Sequence, residues 1–236
     1  MRHAYPTVLS EFETLAGIEH GASVARYGDG EFKIVTGRGI KSQEWAPDLQ
    51  AELLAILRRP DNLHCTVAIP NIGSIATGRG PRTPKHRFWR TYLEPRYLAL
   101  LDRGGTYGSS FITRPDSAPW IDGEGYWRRI RELWERRTVW IVGGSQKGWR
   151  AHELEGAREV RSITAPRQHA WAFNRDPFAT LRLADPEVLI LLSLGPTATV
   201  LAYRLAQEGR WALDLGHLPM FLRHKTDPTV DLKASD

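Results

Sequence analysis

Residues 187–203 read EVLILLSLGPTATVLAY, and the change of pattern inside that stretch decides the fold class. From Glu187 to Leu194 the chain is almost continuously apolar over the length of one strand, which is the pattern of a strand buried on both faces. Gly195-Pro196-Thr197 then opens a helix over 198–208, because proline is favoured in the first helical turn. Gly209 closes that helix, and a strand over 211–215 ends at Gly216-His217. Strand, turn, helix and strand in succession imply a parallel sheet with right-handed crossovers.

The same alternation runs outward from this stretch. Downstream of the middle of the chain come a strand over 138–142 ending in Gly143-Gly144-Ser145, a strand over 159–163 and a helix after Asp176. Upstream, a helix is expected over 7–17, a strand over 23–27 ending at Gly28-Asp29-Gly30, and a helix over 47–58 on which Leu49, Leu53, Leu54 and Leu57 recur. A strand over 65–69, a helix over 88–101 and a short segment over 108–114 follow. Residues 125–137 place Tyr126, Trp127, Ile130, Leu133 and Trp134 on one face and arginines on the other, an amphipathic helix. The expectation is one α/β domain spanning 1–236, Rossmann-like, with a largely parallel sheet flanked by helices. The loop 70–87, rich in glycine, proline and basic residues, is an acceptor-side element in this reading, and the residues after about 224 are a flexible tail or lid.

Composition narrows the function classes. The chain has 236 residues, 42% hydrophobic and 25% charged, enough for a sizeable core. No stretch approaches the roughly 20 apolar residues of a membrane span. The N-terminus lacks a signal-peptide pattern, so the expected location is cytoplasmic. Cys65 stands alone, which excludes an internal disulfide framework and a multi-cysteine metal site. Its strand-like setting makes it a small buried hydrophobe rather than a nucleophile. A formal charge of +5 favours anionic partners: phosphates, nucleic acid or an acidic membrane surface. Nine tryptophans supply apolar area for the core, with stacking on bases or sugars as the alternative.

Three turns fall where strands end and therefore share one edge of the sheet, outside which such sheets bind ligands. In Arg26-Tyr27-Gly28-Asp29-Gly30-Glu31 two carboxylates flank a glycine, the hard oxygen chemistry that Mg²⁺ and Mn²⁺ take together with substrate phosphates. Asp-Gly is also a common turn dipeptide. Gly143-Gly144 lets backbone N–H groups approach an anion, although neither a Rossmann nor a P-loop fingerprint is present. Gly195, Pro196 and Thr197 put a helix N-terminus, with its positive dipole end, at the same edge; a simple tight entry capped by Thr197 is the plainer alternative. Asp214 and His217 close the last strand, and His217 suits a general base or a phosphate hydrogen bond. Arg26 and Arg114 are candidate phosphate partners by their planar forks, or ion-pair residues.

Together these stretches resemble the GT-D type glycosyltransferases of bacteria, first described as a domain of unknown function. The resemblance is carried by residues 24–32 (VARYGDGEF), 110–114 (SFITR), 142–144 (VGG), 194–203 (LGPTATVLAY) and 214–217 (DLGH), in the family's order. It implies a Rossmann-like parallel sheet, a UDP-sugar donor, a glycan or glycoconjugate acceptor and a manganese-type cation, Mg²⁺ being the alternative. It also implies an Asp-x-Glu motif that serves the metal and the donor diphosphate, here Asp29 and Glu31 beside Gly28. Gly143, Gly144, Thr197 and His217 fall in donor-site segments by the same resemblance. The stretch 166–173 is similar to a family segment that carries an asparagine where this chain has His169. For a reaction that inverts the anomeric centre, His217 is the preferred base and Asp214 the alternative. Two rivals use the same residues differently: a metal-dependent phosphohydrolase or nucleotidyltransferase, and a basic nucleic-acid-binding module drawing on the arginines of 128–137. Nucleic acid is not the expected partner, because those arginines form no nucleic-acid motif. The basic surface leaves room for peripheral association with a membrane-bound acceptor.

Overall fold

The computed structural model describes residues 5–60, 62–73, 85–144, 148–173 and 175–230. Most of the loop 70–87, Ser145 and the end of the C-terminal segment lie outside the described residues.

Among the described residues, eight strands form one sheet in which every pairing is parallel. They are β1 (Thr7–Val8), β2 (Ser23–Arg26), β3 (Cys65–Ile69), β4 (Thr106–Ser109), β5 (Thr138–Gly143), β6 (Glu159–Thr164), β7 (Leu189–Ser193) and β8 (Trp211–Asp214). The order across the sheet is β1-β4-β3-β2-β8-β7-β5-β6, so β2 and β8, far apart in sequence, are neighbours in the middle.

The apolar stretch that opened the reading is β7. Leu189 and Leu191 join one core cluster, Ile190 and Leu192 a second, the alternation a strand shows when both faces are covered. Helix α1 (Glu11–Glu19) starts after β1, and a capping box between Ser10 and Glu13 fixes its first turn. Helix α2 (Asp29–Val35) follows β2 directly, and α3 (Pro47–Leu57) buries Leu49, Leu53, Ile56 and Leu57. The expected helix over 88–101 is broken into α4 (His86–Trp89), a 3-10 turn (Arg90–Leu93) and α5 (Pro95–Leu98). Pro95 explains the break, since it lacks the N–H that would continue the ladder.

Helix α6 (Glu124–Glu132) buries Tyr126, Trp127 and Ile130. Its basic face is paired: Arg129 binds Glu19 at 2.7 Å through two nitrogens, and Arg131 pairs with Glu124. Short α7 (Arg175–Leu181) leads towards β7, α8 (Pro196–Gln207) connects β7 to β8, and α9 (Leu218–Thr226) follows β8. That last helix is packed ahead of residue 224. Leu218, Pro219 and Met220 are buried, and Arg223 pairs with Glu153. Cys65 is buried and its thiol is pushed up to about 12 by burial, as befits an inert core residue. No helix among the described residues is long and apolar enough to cross a membrane.

Candidate functional site

A parallel sheet brings all its carboxyl ends to one edge. That edge receives the start of α2 after β2, Ser110 after β4, Gly143-Gly144 after β5, Gly195 after β7 and Gly216-His217 after β8. The chain leaves β5 outward to β6 but leaves β7 inward to β8. Connections parting from adjacent strands make the crevice where such sheets take ligands. Gly143 pairs with Ser193 at this point. Three strand spacings of roughly 4.8 Å put the Gly-Gly turn about 14 Å from β2 along the edge.

The expected turn at Gly28-Asp29-Gly30 is instead the N-cap and start of α2, with Asp29, Gly30 and Glu31 in its first turn. Glu31 folds back so that its Oε2 accepts the Gly28 N–H at 2.7 Å, which caps the helix. Burial raises the Glu31 carboxyl to about 7, the buried carboxylate of Asp214 adding to the rise. Asp29 points outward, with 38% of its side chain exposed and Lys33 at 2.9 Å. An exposed pair of that kind holds the carboxylate only weakly.

Asp214 is 3% exposed. Its Oδ2 accepts the Thr199 hydroxyl at 3.0 Å and its Oδ1 the Gly216 N–H at 3.1 Å. Burial raises its pKa, against which Arg26 and these hydrogen bonds act. Arg26 is itself buried, its Nη1 donating to Ser110 O at 3.3 Å. Two carboxylates, one guanidinium and one hydroxyl thus form a closed polar cluster beneath the edge. His217 lies just above it, exposed, at the N-terminal end of α9.

The remaining candidates are distributed as follows. Arg114 sits past the 3-10 turn Ser110–Thr113, where both Nε and Nη2 reach Asp116 at 2.8 Å and the guanidinium lies 5.6 Å from the Phe221 ring of α9. It fills the ion-pair role. Gly144 is required for packing: a Cβ there would fall 1.8 Å from Ala165 O. Gly195 has φ +56 as the N-cap of α8, a conformation that favours glycine, and Pro196 and Thr197 are buried in the turn that follows.

Gln43 and Ser193 carried no signal in the sequence reading, and His169 entered it only through the resemblance. Gln43 is 3% exposed, and its Oε1 accepts the Trp171 N–H at 3.1 Å and the Thr197 hydroxyl at 3.4 Å. It ties the loop before α3 to the start of α8. Ser193 places a buried hydroxyl at the crevice that makes no hydrogen bond among the described residues. His169 takes φ +54 and accepts the Glu44 N–H at 2.9 Å. Asparagine, the residue of the similar family segment, adopts this left-handed conformation readily, so the backbone at 169 accommodates either residue.

A family model described as the glycosyltransferase GT-D fold matches residues 24–221, and the chain belongs to that family. A probable glycosyl transferase of Streptococcus gordonii is 35% identical over 208 residues, covering 85% of this chain and 30% of that protein. A glycosyltransferase of Streptococcus pneumoniae serotype 4 is 29% identical, covering 85% of this chain and 25% of that protein. The chain therefore spans less than a third of the length of these relatives. Among solved structures, a domain of unknown function 1792 described as having a distinct glycosyltransferase fold superposes with a TM-score of 0.84 at 28% identity, covering 97% of this chain and 84% of that one. A new glycosyltransferase of the same domain class from Streptococcus sanguinis gives 0.81 at 32% identity, covering 96% and 87%. The family and the fold expected from the sequence are both borne out.

Proposed function

We propose that this chain is a glycosyltransferase that moves a sugar from a UDP-sugar to a glycan, glycoprotein or lipid-linked acceptor, with a divalent cation, Mn²⁺ or Mg²⁺, at Asp29 and Glu31. The observation that carries the reading is the meeting of the Asp29-to-Glu31 turn, the N-terminus of α8 and His217 on one edge of a parallel sheet, in a chain of this family.

The donor set fits such an ion. Among the described residues no cluster of three or more histidine, cysteine or carboxylate side chains gathers to hold a metal alone. Asp29 offers an accessible oxygen, and Glu31 keeps one oxygen beyond the one that caps Gly28. Magnesium-type ions are commonly held this way, by one or two carboxylates with substrate phosphates completing the shell. When bound, the cation supplies Lewis-acid neutralisation of the charge that builds on the departing diphosphate.

The chain's own residues do the rest. The N-terminal end of α8 presents amide N–H groups and the positive end of its dipole to the phosphates. Gln43 and Thr197 hold that turn in place. His217, exposed above the buried cluster, takes the proton from the acceptor hydroxyl as general base. Asp214 is buried and bonded to Thr199 and Gly216, while His217 is exposed, which favours the imidazole as the base. The paired arginines of α6 speak against a nucleic-acid surface on that helix.

The test is product analysis with UDP-sugars and a panel of glycan acceptors. The expected result is sugar delivered to an acceptor with release of UDP. Cleaved nucleotide with no transferred sugar under every acceptor would instead assign a phosphohydrolase.

A further inference from the structure

Arg26 reads in the sequence as a phosphate partner or an ion-pair residue, and its surroundings decide between the two. The side chain is 9% exposed, and its charge faces the buried carboxylates of Asp214 and Glu31. A Cβ built on Gly216 would fall 1.5 Å from Nη2 and 2.4 Å from Cζ of Arg26. The guanidinium therefore occupies the space that a side chain at 216 would need. Gly216 also has φ +53, and its N–H is bound to Asp214. The Arg26 Nε makes no hydrogen bond among the described residues, so packing on Gly216 and the buried charges hold the fork, not a full set of hydrogen bonds.

From this geometry we propose that Arg26 is a positioning residue: its planar guanidinium, stacked under Gly216, sets the Gly216-His217 turn and thereby aims His217 at the acceptor. It acts through the turn and does not bind the donor diphosphate. The inference rests on the glycosyltransferase reading for its kinetic consequence only, because the packing of Arg26 on the turn is independent of any substrate.

Gly216 serves the same contact from the other side. A methyl at 216 must displace the guanidinium, so Gly216→Ala and Arg26→Gln remove one interaction by two routes. Substitutions that break one shared contact are non-additive. Arg26→Lys keeps the charge but loses the planar fork, separating charge compensation from shape.

The experiment uses the full chain and two readouts: the His217 ring signals by NMR in the substrate-free protein, and UDP affinity with turnover for a UDP-sugar and acceptor pair. Arg26→Gln, Arg26→Lys and Gly216→Ala are each expected to move the His217 signals. Each should lower kcat on the order of tenfold to a hundredfold, with UDP affinity held within about twofold and the Arg26→Gln/Gly216→Ala double variant no worse than the poorer single. If Arg26→Gln does not fold, Arg26→Lys and Gly216→Ala decide by the same readouts. A UDP affinity that collapses in Arg26→Gln while Gly216→Ala leaves His217 unmoved would overturn the proposal and make Arg26 a phosphate ligand. So would His217 signals unmoved in all the variants. A wild-type protein that neither binds UDP nor transfers sugar would sink the glycosyltransferase reading, and the His217 signals would still decide the positioning role.

Discussion

The hydroxyl of Thr199 reaches the carboxylate of Asp214 at 3.0 Å, tying the first turns of α8 to the end of β8. The same hydroxyl lies 3.1 Å from the carbonyl of Arg26, so the two central strands and the helix between β7 and β8 meet at one oxygen. Thr199 is fully buried, and a buried acceptor stripped of its donor is costly.

Thr199→Val should therefore destabilise the protein by about 1–3 kcal/mol, although valine matches threonine in shape. Urea denaturation of both proteins at neutral pH measures it. A midpoint unchanged in the variant would show that Asp214 does not depend on this hydroxyl.

Gly144→Ala forces a Cβ to within 1.8 Å of a backbone oxygen, which no side-chain rotation relieves. The expected loss is about 1–3 kcal/mol, seen as a lower Tm, whether or not a phosphate binds at that turn. Gly125→Ala is the control, since nothing lies within 4 Å of a Cβ at that position; in the first turn of α6 it should be neutral or slightly stabilising.

The Asp116 carboxyl predicts an acid-dependent contribution. Burial raises its pKa, but the hydrogen bonds and charges of Arg114 and Lys85 outweigh that and hold it at about 2, below its ordinary 3.8. A depressed carboxylate stabilises the fold above the unfolded pKa, and that stability is lost as pH falls. The stability gap between wild type and Asp116→Asn should stay constant above pH 4 and shrink between about 4 and 2, by about 2 kcal/mol at most. A gap independent of pH over that range would contradict the pairing with Arg114.

Much of this was legible in the residues, and what was not has local causes. Strands β5 and β7 announce themselves through apolar runs closed by glycine, and the short β8 through its place between Gly209 and Gly216. Strand β4, Thr106–Ser109, is four residues with a glycine among them, too short and too weakly apolar to register as a strand. Helix α2 hid because Gly28-Asp29-Gly30 is read as a turn. The signal that finds it is Glu31 three residues after Gly28, the spacing of a capping box. Gln43 shows the other limit: the partners of its side chain lie at 44, 171 and 197, and nothing in the sequence around it marks a junction. The site candidates came from strand ends, which the sheet did bring to one edge. The closed cluster beneath them, with Thr199 as its hinge, depends on β2 and β8 being neighbours, a pairing across nearly the whole chain.

Asp29 is the residue on which the proposed activity turns. Its carboxylate is accessible and its pair with Lys33 is exposed, so Asp29→Ala should change stability by less than about 1 kcal/mol. The deciding measurement is a calorimetric titration of UDP into wild type and Asp29→Ala, each with and without Mn²⁺. Binding that requires the ion in the wild type and is lost in the folded variant is the result predicted here. UDP binding that is indifferent to Mn²⁺ and survives Asp29→Ala would contradict the metal-dependent donor site.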